Sequence, residues 1–208
     1  MKLWQTVATT AAIATSTIAI APTVEAITLT TYTNQSAWES AVGSFETEAF
    51  EDNIFEDFSV TSESTSSDYP GEASGGLWKD RVGPTLTTVW TFTEALTAWG
   101  GEGWNLAGPG GSGTGIKVTL GLVDGTEYTL GEELLRSWND NFFGFLSDTA
   151  FNTVTLTGGT QSGVFETYTL DDMVYAEAQQ SVPEPTAILS LLAIAALGAS
   201  PILKTKNS

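Results

Sequence analysis

The chain has 208 residues, 25 of them acidic and 7 basic, with a formal net charge of −18 and neither cysteine nor histidine. This charge excludes the positive surface that binding to nucleic acid requires. The two missing residue types exclude disulfides, thiol nucleophiles, Ser-His triads and the ordinary zinc, copper and haem sites. Carboxylate and hydroxyl groups therefore carry the available chemistry, and the expected charged partners are cations.

Residues 1–26 are predicted to be a signal peptide. Lys2 precedes an apolar, threonine-rich stretch at 7–21, and small residues around Val24 and Ala26 occupy the positions that a signal peptidase reads. A single-span membrane anchor is the alternative, but the threonine and serine residues leave its apolar part short. We therefore expect export, with cleavage after Ala26.

The C-terminal region predicts a membrane-spanning helix. Residues 187–203 form an uncharged run of 17 residues that is apolar on all sides. At about 1.5 Å rise per residue, such a run is close to the shortest helix that crosses a bilayer. Lys204 and Lys206 follow it, which favours a cytoplasmic C-terminus and an exported body. The alternative, an amphipathic helix docked on the core, would need a single apolar stripe.

A short motif precedes this run: Val182, Pro183, Glu184, Pro185 and Thr186. With the apolar helix and the basic end, it resembles the PEP-CTERM sorting signal of exported bacterial proteins. The resemblance covers residues 182–208. It implies recognition by an exosortase, a protease-like membrane enzyme that removes the anchor, in bacteria that make extracellular polysaccharide. It places the protein at the cell envelope, either anchored or released into the matrix.

Residues 27–181 are long enough for one domain, and they carry 23 acidic and 4 basic side chains. Their strand-like segments are rich in threonine, valine and aromatic residues and are separated by glycine-rich breaks. Seven strands are predicted, at 27–32, 85–93, 115–122, 127–130, 142–146, 153–157 and 166–175. This pattern predicts an all-β fold, a single jelly-roll-like β-sandwich. Parts of this region also resemble the β-sandwich ectodomains that often precede such sorting signals; these parts are 99–101, 108–115, 141–148 and 166–172.

One or two short helices are expected beside the strands. Ser36 and Glu39 have the spacing of a capping box, which predicts a helix at 34–42 that packs through Trp38. A second short helix is predicted at 132–138. Other turn signals predict a hairpin at 124–125, a mobile loop at 59–76 and a long bend at 100–115.

Two acidic pairs predict a calcium site. Glu51 and Asp52 lie near the start of the domain, whereas Asp171 and Asp172 lie on its last predicted strand. The first and last strands of a jelly roll are commonly neighbours, and Ca²⁺ prefers oxygen ligands. The alternative is that these groups are solvated charges that keep an edge strand soluble.

Aromatic residues at the glycine-rich bend predict a sugar-binding surface. Trp99 and Trp104 flank the start of the bend, and Asn105 follows. Apolar sugar faces stack on aromatic rings while the hydroxyls seek polar partners. The alternative for each tryptophan is packing in the core.

These features together predict a non-catalytic protein of the cell envelope or polysaccharide matrix that binds carbohydrate, with calcium as a bracing ion. The first alternative is a purely structural matrix protein without a ligand. The second is a glycoside hydrolase that uses two carboxylates, such as Glu51 and Glu56. An odd separation on a strand points these two side chains to opposite faces, so we expect no enzymatic activity.

Overall fold

The computed structural model describes residues 27–108, 110–135, 141–161 and 163–178. In these ranges the chain is mostly β-strand with one helix, which confirms the prediction of an all-β fold class. The elements are β1 (Leu29–Tyr32), α1 (Gln35–Val42), β2 (Glu46–Glu48), β3 (Phe58–Ser62), β4 (Glu72–Ala73), β5 (Trp78–Val82), β6 (Thr88–Leu106), β7 (Ile116–Leu122), β8 (Glu127–Thr129), β9 (Asn141–Gly158), β10 (Glu166–Leu170) and β11 (Met173–Glu177).

The predicted signal peptide at 1–26, the sorting signal at 182–186 and the apolar run at 187–203 lie outside these ranges. Among the helices of the described ranges, none is long and apolar enough to cross a membrane.

Two long antiparallel strands, β6 and β9, organise the sheets. Along its length β6 also pairs with β3, β11 and β10, while β9 also pairs with β1 and β7. The β6–β9 register shifts at three places: between Thr91 and Leu96, between Leu96 and Ala98, and between Gly101 and Trp104. Irregularities of this kind bend a strand, so one strand can serve more than one layer.

The layers face each other across an aromatic core. Trp78 on β5 and Trp90 on β6 have ring centroids 4.8 Å apart, although these two strands do not pair with each other at these residues. β5 therefore lies across the core from the part of β6 that carries Trp90, whereas β10 pairs with the other end of β6 at Asn105 and Leu106. Twelve of the largest side chains are fully buried: Trp38, Trp78, Trp90, Trp99, Trp104, Tyr168, Phe50, Phe143, Phe145, Phe151, Leu96 and Leu106. In a domain without disulfides, burial of this apolar surface is the main source of stability.

One carboxylate, Asp80, is buried between the layers with 0% exposure. Ser62 Oγ donates to it at 2.7 Å and the Arg81 amide at 2.6 Å, and Thr88 Oγ1 also donates. The Tyr168 hydroxyl lies at the edge of hydrogen-bonding range, 3.5 Å from Asp80 Oδ2. Burial raises the pKa of Asp80, and these donors only partly offset that effect.

The predicted helix at 34–42 is confirmed as α1. Its N-cap is Asn34 rather than Ser36, because Asn34 Oδ1 accepts a hydrogen bond from the Ala37 amide at 2.9 Å. The helix ends at Gly43, whose φ of 84° is a conformation that glycine adopts without strain. The predicted hairpin at 124–125 is also confirmed, since these residues join β7 to β8.

Three predicted strand segments had wrong boundaries. The segments at 142–146 and 153–157 belong to one strand, β9, because it pairs with β1 and β6 up to Ser147 and with β6 and β7 from Phe151 onward. Between these pairings Ser147 and Thr149 make local hydrogen bonds. The segment at 166–175 is two strands, β10 and β11. They are separated at Asp171 and Asp172, where the Asp171 amide donates to the Glu102 carbonyl and the Glu102 amide donates to the Asp172 carbonyl, between the β6–β10 and β6–β11 pairings.

The predictions for irregular segments also need correction. The bend expected at 100–115 begins as strand, because Gly100 lets β6 approach Gly144 of β9 closely, while Gly101 leaves room for the Leu170 side chain of β10. Residues 132–135 are not helical, and Leu134 forms a bridge with Ile116; residues 136–138 lie outside the described ranges. The loop expected at 59–76 contains most of β3 and all of β4.

Candidate functional site

A cleft of about 800 Å³ opens beside α1, where β1, β9, β6, β11 and the start of β2 lie next to one another. It is lined by Thr28, Thr30, Ala41, Val42, Ser44, Phe45, Glu46, Thr97, Leu146, Ser147, Asp148, Tyr175, Ala176, Glu177 and Ala178. We refer to it as the α1 cleft.

Trp38 holds α1 against the sheet, so that Ala41 and Val42 at the end of the helix line one wall of the cleft. Its ring is fully buried in a cluster with Ala98 and Ala176, and its Nε1 donates to the Phe145 carbonyl at 3.1 Å. Small alanine side chains on β6 and β11 leave room for this large ring. The C-terminal end of the helix is consequently fixed at the edge of the cleft.

Phe45 supplies an aromatic surface on this wall. Its ring meets the Trp38 ring edge to face, with centroids 5.4 Å apart and an interplanar angle of 67°. The side chain is only half-buried, and it lines the cleft together with Val42. Contact with Trp38 orients the ring, while its remaining surface is available to a ligand.

Asp148 forms part of the opposite side and is held by neutral donors. Its Oδ1 accepts hydrogen bonds from the Thr28 amide at 2.9 Å and from Thr149 Oγ1 at 3.0 Å. Its own amide donates to the Thr28 carbonyl at 3.1 Å. Hydrogen bonding from Thr28 lowers the pKa of Asp148, so this carboxylate is ionised at neutral pH.

The cleft is negatively charged. Among the described residues that line it, Glu46, Asp148 and Glu177 are acidic and exposed, and none is basic. Tyr175 is buried and lies opposite Glu46 in the β2–β11 pairing, and its hydroxyl donates to Asp57 Oδ2 at 2.9 Å. Burial raises the pKa of Tyr175, so its hydroxyl remains a donor. The arrangement combines apolar and aromatic surface with hydroxyl and carboxylate groups, which is the chemistry that fits a sugar.

The two tryptophans expected to form a sugar platform lie in the core. Trp99 and Trp104 are both 0% exposed, and their ring centroids are 6.0 Å apart. Trp104 also packs against Tyr168 at 5.7 Å. A platform needs an exposed ring face, so in this structure neither ring provides one. Asn105 is exposed on β6, in register with Thr169, and it does not line the α1 cleft.

The acids predicted to bind calcium are only partly brought together. Pairing of β2 with β11 places Glu48 opposite Met173, next to Asp172. Burial raises the pKa of Glu48, and repulsion from Asp52 and Asp172 adds to this effect. Glu51 and Asp171 are exposed. Within the described ranges no three acidic side chains are grouped closely enough to hold a metal ion, and calcium binding stays a prediction.

A thermal melt in Ca²⁺ and then in excess chelator tests that prediction. An ion bound only by the folded state raises the melting temperature by mass action. The calcium prediction requires a rise that chelator reverses and that Asp172→Asn diminishes, because Asp172 belongs to the predicted site and the fold places it near Glu48. Identical melts with and without Ca²⁺ would show that these acids are solvated charges.

Sequence reasoning missed the residues of the α1 cleft. Phe45, Asp148 and Glu177 come from three separate parts of the chain, and each is ordinary in its local context. The Ser147–Thr149 segment carried the one local signal, because a Ser-Asp-Thr triplet inside a strand favours side-chain bonds to the backbone.

No protein-family model matches the chain, and no curated protein matches it either. Two solved structures from Clostridium perfringens are similar. One is the family 32 carbohydrate-binding module of NanJ in complex with galactose, with a TM-score of 0.40 and 13% identity, over 58% of this chain and 93% of that one. The other is the module CpGH89CBM32-4 in complex with GlcNAc-α-1,4-galactose, with a TM-score of 0.38 and 11% identity, over 64% of this chain and 95% of that one.

Proposed function

We propose that this protein is a non-catalytic component of the cell envelope or extracellular matrix that binds carbohydrate in the α1 cleft. The observation that carries the proposal is the composition of the cleft, in which the half-buried Phe45 ring lies among exposed hydroxyl and carboxylate groups.

The size of the cleft supports a sugar ligand. Pockets for small molecules commonly measure roughly 300–1,000 Å³, and the α1 cleft, at about 800 Å³, lies within that range. Phe45 and Leu146 offer apolar surface for the face of a sugar ring. Glu46 and Asp148 offer acceptors for its hydroxyl groups, and Thr30 offers a hydroxyl that donates or accepts.

The cellular location in this proposal rests on the sequence. Residues 1–26 direct export, and residues 182–208 anchor the protein until an exosortase-type enzyme cuts the signal. Polysaccharide outside the cell is then the ligand within reach of the domain.

Binding to a glycan panel, measured for the wild type and for Phe45→Leu, tests the proposal. Leucine keeps apolar contact with Trp38 but removes the aromatic face. We expect the affinity for the bound glycan to fall about twofold to tenfold, which corresponds to the roughly 0.5–1.5 kcal/mol that an aromatic contact contributes.

Val164→Ala is the matched control, since Val164 is an exposed apolar residue, 57% accessible, that does not line the cleft. Its affinity is expected to equal that of the wild type. If no glycan binds, or if Phe45→Leu binds every glycan as tightly as the wild type does, the α1 cleft is not a sugar site.

A further inference from the structure

A second cavity, of about 160 Å³, shares Tyr175 and Glu177 with the α1 cleft. It is more acidic than the first, because its lining includes three further carboxylates: Glu56, Asp57 and Glu94. Both shared residues belong to β11, with Tyr175 in its middle and Glu177 at its end. We refer to the carboxylates that line the two cavities as the acidic track: Glu46, Asp148, Glu177, Glu56, Asp57 and Glu94.

Basic side chains do not neutralise this track within the described ranges. The three described basic residues are Lys79 and Arg81 on β5 and Lys117 on β7, and none of them lines either cavity. The hydrogen bonds given to Asp57 and Asp148 come from Tyr175, Thr28 and Thr149, which are neutral donors. These bonds fix the carboxylates in place without cancelling their charge.

We propose that the carbohydrate bound here is a polysaccharide with free amino groups, whose ammonium groups pair with the carboxylates of the track; this rests on the proposed function of the α1 cleft. An acidic track attracts a polycation and repels a polyanion such as a uronic acid polymer. A neutral sugar gains nothing from the charge. Charge complementarity therefore determines which class of polysaccharide is selected.

The paired cavities also fit a chain better than a single sugar. A linear amino-polysaccharide presents one ammonium group per sugar unit, and the track offers it several carboxylates: Glu46 and Asp148 line the first cavity, Glu94 lines the second, and Glu177 lines both. Each exposed ion pair contributes only about 0.2–1 kcal/mol, but several pairs in one chain add up. Affinity is expected to increase with chain length until the track is filled.

Calorimetric titration of the full chain with three hexasaccharides tests this inference: a glucosamine hexamer, an N-acetylglucosamine hexamer and a galacturonic acid hexamer. We expect the glucosamine hexamer to bind about tenfold or more tightly than the acetylated one at low salt, since two or more ion pairs are involved. The advantage should shrink as salt is added. The galacturonic acid hexamer should not bind.

Two single substitutions test whether the carboxylates of the track bind the glucosamine hexamer. Glu177→Gln should weaken binding of the glucosamine hexamer about twofold to fivefold, the range expected for one exposed ion pair. Glu127→Gln is the control, because Glu127 is an exposed carboxylate on β8 that lines neither cavity. It removes the same charge from the protein and should leave the affinity unchanged.

The outcomes separate the inference from the proposed function. Equal binding of the two glucosamine-type hexamers would overturn the preference for free amines and leave carbohydrate binding in place. An equal loss in Glu127→Gln and Glu177→Gln would assign the attraction to overall charge and also overturn the inference. If no glycan, neutral or charged, binds at any salt concentration, the proposed function itself fails.

Discussion

Replacing Asp80 with alanine is expected to destabilise the protein by about 2–4 kcal/mol, since it leaves several buried donors without their acceptor. Ser62 Oγ, Thr88 Oγ1 and the Arg81 amide all donate to this carboxylate in a site with 0% exposure. Urea unfolding of the wild type and the variant measures the difference.

Asp80→Asn is expected to behave differently, because it keeps an acceptor of nearly the same shape without the buried charge. Burial raises the pKa of Asp80 in the folded state above its unfolded value, so folding favours the protonated form. The contribution of the protonated Asp80 side chain to folding stability is therefore complete below the pKa of the unfolded state. It is lost as the pH rises through the pKa of the folded state. The asparagine variant lacks this loss, and its stability relative to the wild type should improve from acidic to neutral pH.

Unfolding free energies across a pH series distinguish the two Asp80 variants. We expect Asp80→Ala to have a lower free energy of unfolding than Asp80→Asn at every pH. We also expect Asp80→Asn to lose less stability than the wild type does between acidic and neutral pH. These expectations would be contradicted if both variants were equally destabilised and both kept the pH dependence of the wild type. That result would mean that the carboxylate is solvated rather than buried between the layers.

Trp104→Ala is expected to cost about 3–5 kcal/mol of folding stability, the range for removing a large aromatic side chain from a core. The Trp104 ring is fully buried and contacts the rings of Trp99 and Tyr168. Its Nε1 has no hydrogen-bond partner in the described part of the chain. Trp104→Phe therefore gives up no hydrogen bond and should be less destabilising than the alanine variant.

Thermal or urea unfolding of both Trp104 variants, followed by glycan binding of the one that folds, tests this assignment. We expect Trp104→Phe to bind sugar as the wild type does, because Trp104 does not line the α1 cleft. A variant with normal stability that has lost sugar binding would instead make Trp104 the platform that the sequence predicted.

The elements that the sequence predicted well depend on local chemistry. The helix at 34–42 was predicted from polar capping residues near its start, although the residue that caps it is Asn34 and not Ser36. Asp124–Gly125 marks a hairpin through its own backbone preferences. The extents of β6 and β9 were not predictable on this basis. Gly100 favours a turn when it is read alone, yet here it lies in a strand because it faces Gly144 on β9, where a side chain would collide with that backbone.

The site was harder to predict than the fold, because long-range strand pairing decides which side chains are exposed. Trp99 and Trp104 were chosen because aromatic residues beside glycines are typical of ligand-binding bends, but long-range pairing of β6 with β9, β10 and β11 buries both rings. Conversely, Phe45 lies in a short connection that looks unremarkable in the sequence. Its exposure and its neighbours are set by Trp38 and by the β2–β11 pairing.

The central claim, that the α1 cleft holds a sugar, is tested most directly by mapping amide chemical shifts of the protein as a bound oligosaccharide is added. The account predicts that the largest changes occur at Phe45, Asp148 and Glu177, with little change at Asn105 or at Glu127 on β8. Changes centred on Asn105 and the glycine-rich segment at 107–115, with none around Phe45, would contradict it and move the binding site to the other end of β6.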